Sequence, residues 1–173
     1  MKILAFAGSS SKNSINKSLV SFALEQMKSE NKTLLDLNDF ELPLYSIDLE
    51  KELGLPENLL HFAQHIEAAE CIVLSLAEHN GTYTAVFKNL FDWLTRNKSS
   101  CFEGKKMILL STSNGLRGGR GVMNAALDRF PQHGPEILGH LCVPNFKENF
   151  NQELGITDAA LKEEFFNLMN LVK

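Results

Sequence analysis

The 173-residue sequence predicts a doubly wound α/β domain, a five-stranded parallel sheet with helices on both faces. Two observations carry this. Five short apolar runs, residues 3–7, 33–37, 71–76, 107–111 and 137–143, have the length of strands buried on both sides. Between them the apolar spacing changes to a repeat of three to four, the period of amphipathic helices. Residues 1–173 read as one domain without repeats, low-complexity tracts or linkers, and 44% hydrophobic against 22% charged residues suffices for a core.

The first run stops at Gly8 and a group of serines; it is too short to cross a bilayer and is followed by no cleavage site, so it reads as a strand. Ile15, Leu19, Phe22 and Ala23 then share one helical face. Pro56 opens a helix carrying Leu59, Phe62, Ala63 and Ile66. Tyr83, Val86, Phe87, Leu90 and Leu94 mark the next, and Met123, Leu127 and Phe130 the one after. Thr157 as cap and Asp158 as first-turn acid begin the last, whose stripe is Leu161, Phe165, Leu168 and Val172.

The net charge of −4, with no basic stripe, argues against a nucleic-acid partner, and no membrane segment is expected. Cys71, Cys101 and Cys142 lack C-x-x-C spacing and fit a reducing cytoplasm, with Cys71 and Cys142 as apolar fillers in strands. His61 and His65 stand four apart, a spacing that can clamp zinc, but they point away from the apolar stripe. His133 and His140 have no neighbouring Cys or carboxylate cluster, so no metal is expected.

In doubly wound sheets ligands bind outside the carboxyl ends of strands, where the winding reverses. That directs attention to the loops after the first, third and fourth strands. The first contains Ser9, Ser11, Ser14, Ile15 and Asn16, carries hydroxyls and amides but no carboxylate, and leads into a helix. A helix N-terminus with free N–H groups attracts a phosphate, and Lys12 and Lys17 add charge. The spacing matches neither the Walker P-loop nor the Rossmann fingerprint. The third-strand loop offers Ala77, Glu78, His79, Asn80 and Gly81, and the fourth Ser113, Asn114 and Gly115.

G-S-x(4)-S-x-N, A-E-H-N-G…K-N-x-x-D-W and S-T-S-x-G-x-x-G-G, in this order at successive strand ends, resemble the NADPH-dependent FMN reductase family from residue 1 to about residue 124. The resemblance implies a flavodoxin-like fold, bound FMN, and NADPH or NADH as hydride donor to a small-molecule electron acceptor such as a quinone or flavin. It implies that Ser9, Ser11, Ser14, Ile15 and Asn16 hold the FMN phosphate, that Ala77, Glu78, His79, Asn80 and Gly81 edge the isoalloxazine ring, and that Ser113, Asn114 and Gly115 approach its other side. It further implies a homodimer or homotetramer, and no side chain acting as catalytic acid or base. Three positions depart from the family pattern, which commonly has arginine at Ser11, proline at Ala77 and tyrosine at His79. Asn89, Asp92 and Trp93 read as structural, while Arg117 and Arg120 read either as solvated or as partners of the NADPH 2′-phosphate. Two rival readings are a flavodoxin-like electron carrier without a nicotinamide site, and a module that has lost FMN and binds another small anion.

Overall fold

The computed structural model describes residues 1–172. In chain order the elements are β1 (Ile3–Gly8), α1 (Ile15–Gln26), β2 (Lys32–Leu35), the 3-10 turn η1 (Leu37–Asp39), α2 (Ile47–Leu53), α3 (Glu57–Ala68) and β3 (Cys71–Leu76). There follow β4 (Glu78–His79), β5 (Thr82–Tyr83), α4 (Ala85–Asn97), β6 (Lys106–Thr112), α5 (Arg120–Arg129) and the 3-10 turn η2 (Phe130–His133). The chain continues through β7 (Glu136–Val143), α6 (Phe146–Asn149), β8 (Phe150–Asn151), β9 (Gly155–Ile156) and α7 (Ala159–Met169). Five parallel strands stand in the order β2-β1-β3-β6-β7. The winding reverses at β1, which has β2 on one side and β3 on the other, so the switch point falls at the loop after β1.

Alternation along the strands splits the core in two. Leu4, Phe6, Ile72 and Leu74 pack under α3, α4 and α5, against Phe62, Phe87, Trp93 and Val122. Ile3, Ala5, Cys71 and Val73 face α1 and α7, against Leu19, Val20, Phe165 and Leu168. Burial pushes the Cys71 thiol up to about 11 and the Cys101 thiol up to about 12.

Several boundaries differ from the sequence expectation, each for a local reason. β2 ends at Leu35, because Asp36 turns the chain and its carboxylate accepts the Asn38 N–H (3.0 Å) to start η1. Tyr83 stands outside α4: Thr84 is the N-cap, accepting the Phe87 N–H (3.2 Å), and Tyr83 belongs to the β4–β5 hairpin. Pro56 takes the N-cap position before Glu57 rather than the first helical turn. Asp158, not Thr157, caps α7 by accepting the Leu161 N–H (2.9 Å), while Thr157 donates to the Glu148 carbonyl (3.0 Å). α2 has no fully buried residue: Leu49 packs only partly against the core, and Ile47 and Leu53 are exposed. After β7, Phe146 stacks on Phe150 (4.6 Å), which meets Phe22 of α1 edge-on (5.7 Å).

Candidate functional site

The carboxyl ends of β3 and β6 are joined by one buried amide. Asn16, only 2% exposed, accepts the Ser75 hydroxyl (2.8 Å) and the Thr112 N–H (3.0 Å) at Oδ1 and donates from Nδ2 to the Thr112 carbonyl (3.1 Å). β3 ends at Leu76 opposite Ser111, so Thr112 has no strand partner on that side, and the Asn16 amide supplies the missing rung. Thr84 does the equivalent for β1, donating to the Gly8 carbonyl (2.8 Å). The Asn16 side chain is therefore committed to the framework, and what Asn16 presents outward is its backbone N–H.

That N–H is one of two donors left open at the start of α1. Ser14 caps α1 by accepting the Lys17 N–H (3.2 Å), and the Ser14 carbonyl accepts the Ser18 N–H (3.1 Å). The N–H groups of Ile15 and Asn16 are the first-turn donors left without a partner among the described residues. Ser9 and Ser11 flank them, the Ser11 N–H bonding to Ser9 Oγ (3.2 Å), with Ser11 exposed. Lys17, expected to add charge here, turns instead to Asp36 and pairs with its carboxylate. Burial raises the Asp36 pKa, but the hydrogen bonds from Lys17 and Asn38 outweigh it and hold the carboxyl below its ordinary value. The pair accordingly contributes stability above the unfolded carboxylate pKa of about 3.9 and loses it as pH falls through the folded value. Both partners are partly exposed, so the expected contribution is under about 1 kcal/mol; Asp36→Asn should flatten the acid limb of the stability–pH curve without moving the neutral plateau by more than that.

Across the sheet edge, residues 78–83 form a hairpin whose central residues both have positive φ, Asn80 at 52° and Gly81 at 81°. A type I′ turn requires this, and Asn-Gly is its strongest sequence signal, so a signal for the hairpin was present in what read as a loop. His79, Asn80 and Gly81 are exposed and Ala77 half-buried. Glu78 reaches the start of α5, where its Oε2 accepts the Val122 N–H (2.9 Å). The Tyr83 ring lies parallel to that of Phe130 (6.1 Å, 8°), and burial pushes its hydroxyl up to about 12.

The loop after β6 is braced from behind. Ser113 Oγ accepts the Gly115 N–H (3.3 Å), the Gly115 carbonyl accepts the N–H groups of Gly118 (3.3 Å) and Asn145 (3.1 Å), and the Ser113 carbonyl accepts that of Phe146 (3.0 Å). Asn114 and Gly115 remain exposed. Arg117 and Arg120 sit to one side, lining with His140 and Glu164 a cavity of about 320 Å³ that includes no residue of the serine loop or the hairpin. Asn89 and Trp93 serve the framework as expected: both donate to the Pro43 carbonyl (3.0 and 2.8 Å), and Asn89 also accepts the Tyr45 N–H (2.8 Å). Lys88 and Asp92 pair on the surface (2.7 Å).

Free first-turn N–H groups, hydroxyls and the lack of a carboxylate in the serine loop suit a phosphate. The exposed turns at Gly81 and Gly115 admit a flat ring close to backbone. The structure thus brings all three sequence-identified loops to one sheet edge. The family model for NADPH-dependent FMN reductase matches residues 1–148. The chain belongs to that family. Among curated relatives, an uncharacterized protein of Mycoplasma pneumoniae is 30% identical over 86% of this chain and 90% of its own length. A probable NADPH:quinone oxidoreductase of Oryza sativa is 26% identical over 98% of this chain and 85% of its own. Among solved structures, a flavoenzyme NAD(P)H:(acceptor) oxidoreductase from Paracoccus denitrificans aligns with a TM-score of 0.74 and 22% identity, covering 98% of this chain and 96% of that one, a likeness of fold.

Proposed function

We propose that this FMN reductase family member is an NAD(P)H-dependent oxidoreductase that passes hydride from nicotinamide through bound FMN to a quinone, flavin or similar small acceptor. The observation that carries the reading is the cradle of free Ile15 and Asn16 N–H groups, set at the same sheet edge as two exposed glycine-bearing turns. In this reading Ser9, Ser11 and Ser14 donate hydroxyls to the FMN phosphate, and Ile15 and Asn16 donate their N–H groups. Ala77, Glu78, His79, Asn80 and Gly81 border one edge of the ring, and Ser113, Asn114 and Gly115 the other. FMN supplies the hydride chemistry when bound, and the chain supplies binding, orientation and electrostatics. The reading extends to a cytoplasmic homodimer or homotetramer.

The test is the visible spectrum of protein purified with FMN, followed by NADPH without oxygen. Flavin bands that bleach, and return on addition of a quinone, are the expected result. Bands that persist with either nicotinamide would favour the electron carrier, and protein that retains no flavin would favour another small anion in the cradle.

A further inference from the structure

We infer that Glu78 is a positioning residue that clasps the 78–83 hairpin to the first turn of α5, fixing the spacing between the loops after β3 and β6. The N-cap of α5 is Gly119, which has no side chain and so supplies no capping hydrogen bond. A helix start needs an acceptor for its third N–H, ordinarily from the N-cap side chain. Val122 holds that third position, and its N–H goes to Glu78 Oε2 at 2.9 Å, from a residue 44 positions earlier in the chain. The cap is therefore delivered by another loop, and its negative charge suits the positive end of the helix.

A second contact shows that the two elements touch directly. A Cβ on Gly121 would come within 2.6 Å of the Gly81 carbonyl oxygen and 2.7 Å of Glu78 Oε2. The hairpin backbone thus rests on the first turn of α5 at a distance that only glycine allows. Opposite Glu78 in the hairpin ladder, Tyr83 stacks on Phe130, just beyond the end of α5. Because α5 starts where the loop after β6 ends, the clasp couples the two loops that border the proposed flavin ring. The consequence of the clasp for FMN rests on the proposed function.

Three variants test it, Glu78→Ala, Glu78→Gln and Gly121→Ala, each read first by amide hydrogen exchange in FMN-free protein and then by FMN titration. Glu78→Ala should lose protection at Val122 and at residues 79–82 and bind FMN about tenfold more weakly, the usual cost of a lost cap. Glu78→Gln keeps an acceptor oxygen and should stay within about threefold of the original affinity. Alanine is the better helix former, so weaker FMN binding by Gly121→Ala would report the contact rather than helix propensity. The double variant Glu78→Ala/Gly121→Ala should lose less than the sum of the two. Unchanged exchange in Glu78→Ala would overturn the clasp, as would a Gln variant as impaired as the Ala variant. A loosened hairpin with unaltered FMN affinity would overturn the claim that the clasp spaces the loops. Failure of the unmutated protein to bind FMN would sink the proposed function, while the exchange data would still decide the clasp.

Discussion

Asn16→Ala is expected to lower the unfolding free energy by about 3–5 kcal/mol, because it strands three buried polar groups at once. The Ser75 hydroxyl, the Thr112 N–H and the Thr112 carbonyl all bond to the Asn16 amide, and Ser75 and Thr112 are at most 1% exposed. Asn16→Asp separates shape from chemistry. A carboxylate still accepts from Ser75 and Thr112 but cannot donate to the Thr112 carbonyl, so two oxygens face each other. Protonation restores the donor, and the Asp variant should therefore recover stability relative to the parent as pH falls from neutral to mildly acidic. Urea unfolding at the two pH values measures both effects. If Asn16→Ala were to cost less than about 1 kcal/mol, the amide would not be the joint between the strand ends. FMN retention should fall with it, since Ile15 and Asn16 offer their N–H groups from the same turn.

How much of this was legible depends on the distance over which each feature is encoded. The sheet core was readable because β1, β3 and most of β6 are continuous apolar runs, and two-sided burial needs no partner to be named, whereas β7, expected to be buried on both sides, is the other sheet edge and buries only Leu141 and Val143. Only β2, exposed at the sheet edge, was misplaced, since there the polar turn at Asp36 rather than burial sets the end. The cradle was legible because a serine N-cap and its helix are local. The Asn16 side chain was not, as Thr112 lies 96 residues away and Ser75 lies 59 away, and nothing in the serine loop distinguishes an inward amide from an outward one. Lys17 failed for the same reason, its partner Asp36 being set by the turn after β2. Glu78 shows the limit of resemblance. The motif placed it at the ring edge, and only the structure shows its carboxylate spent on Val122. The Asn-Gly turn beside it was encoded locally and shows that a two-residue signal can be overlooked inside a longer motif.

Gly118→Ala should be nearly as damaging, and its cause can be isolated. Gly118 has φ of +56°, which costs an L-residue about 1–2 kcal/mol. A Cβ there would also lie 2.7 Å from Pro144 N and from the Val143 carbonyl carbon, backbone atoms at the end of β7 that have no rotamer by which to move aside. Overpacking of this kind adds about 1–3 kcal/mol. Gly104 supplies the control: its φ is +72°, and nothing lies within 4 Å of its would-be Cβ. Gly104→Ala should therefore lose the conformational cost alone, and the excess loss in Gly118→Ala measures the contact with β7. The contact matters because the Gly118 carbonyl accepts the Ser111 hydroxyl (2.8 Å) and its N–H closes the turn onto Gly115 (3.3 Å). Pushing Gly118 off β7 displaces the turn bearing Ser113, Asn114 and Gly115, so FMN affinity should fall in Gly118→Ala and remain unchanged in Gly104→Ala. Equal destabilisation of the two variants would mean that the loop after β6 yields to a methyl group, and that β7 does not brace it.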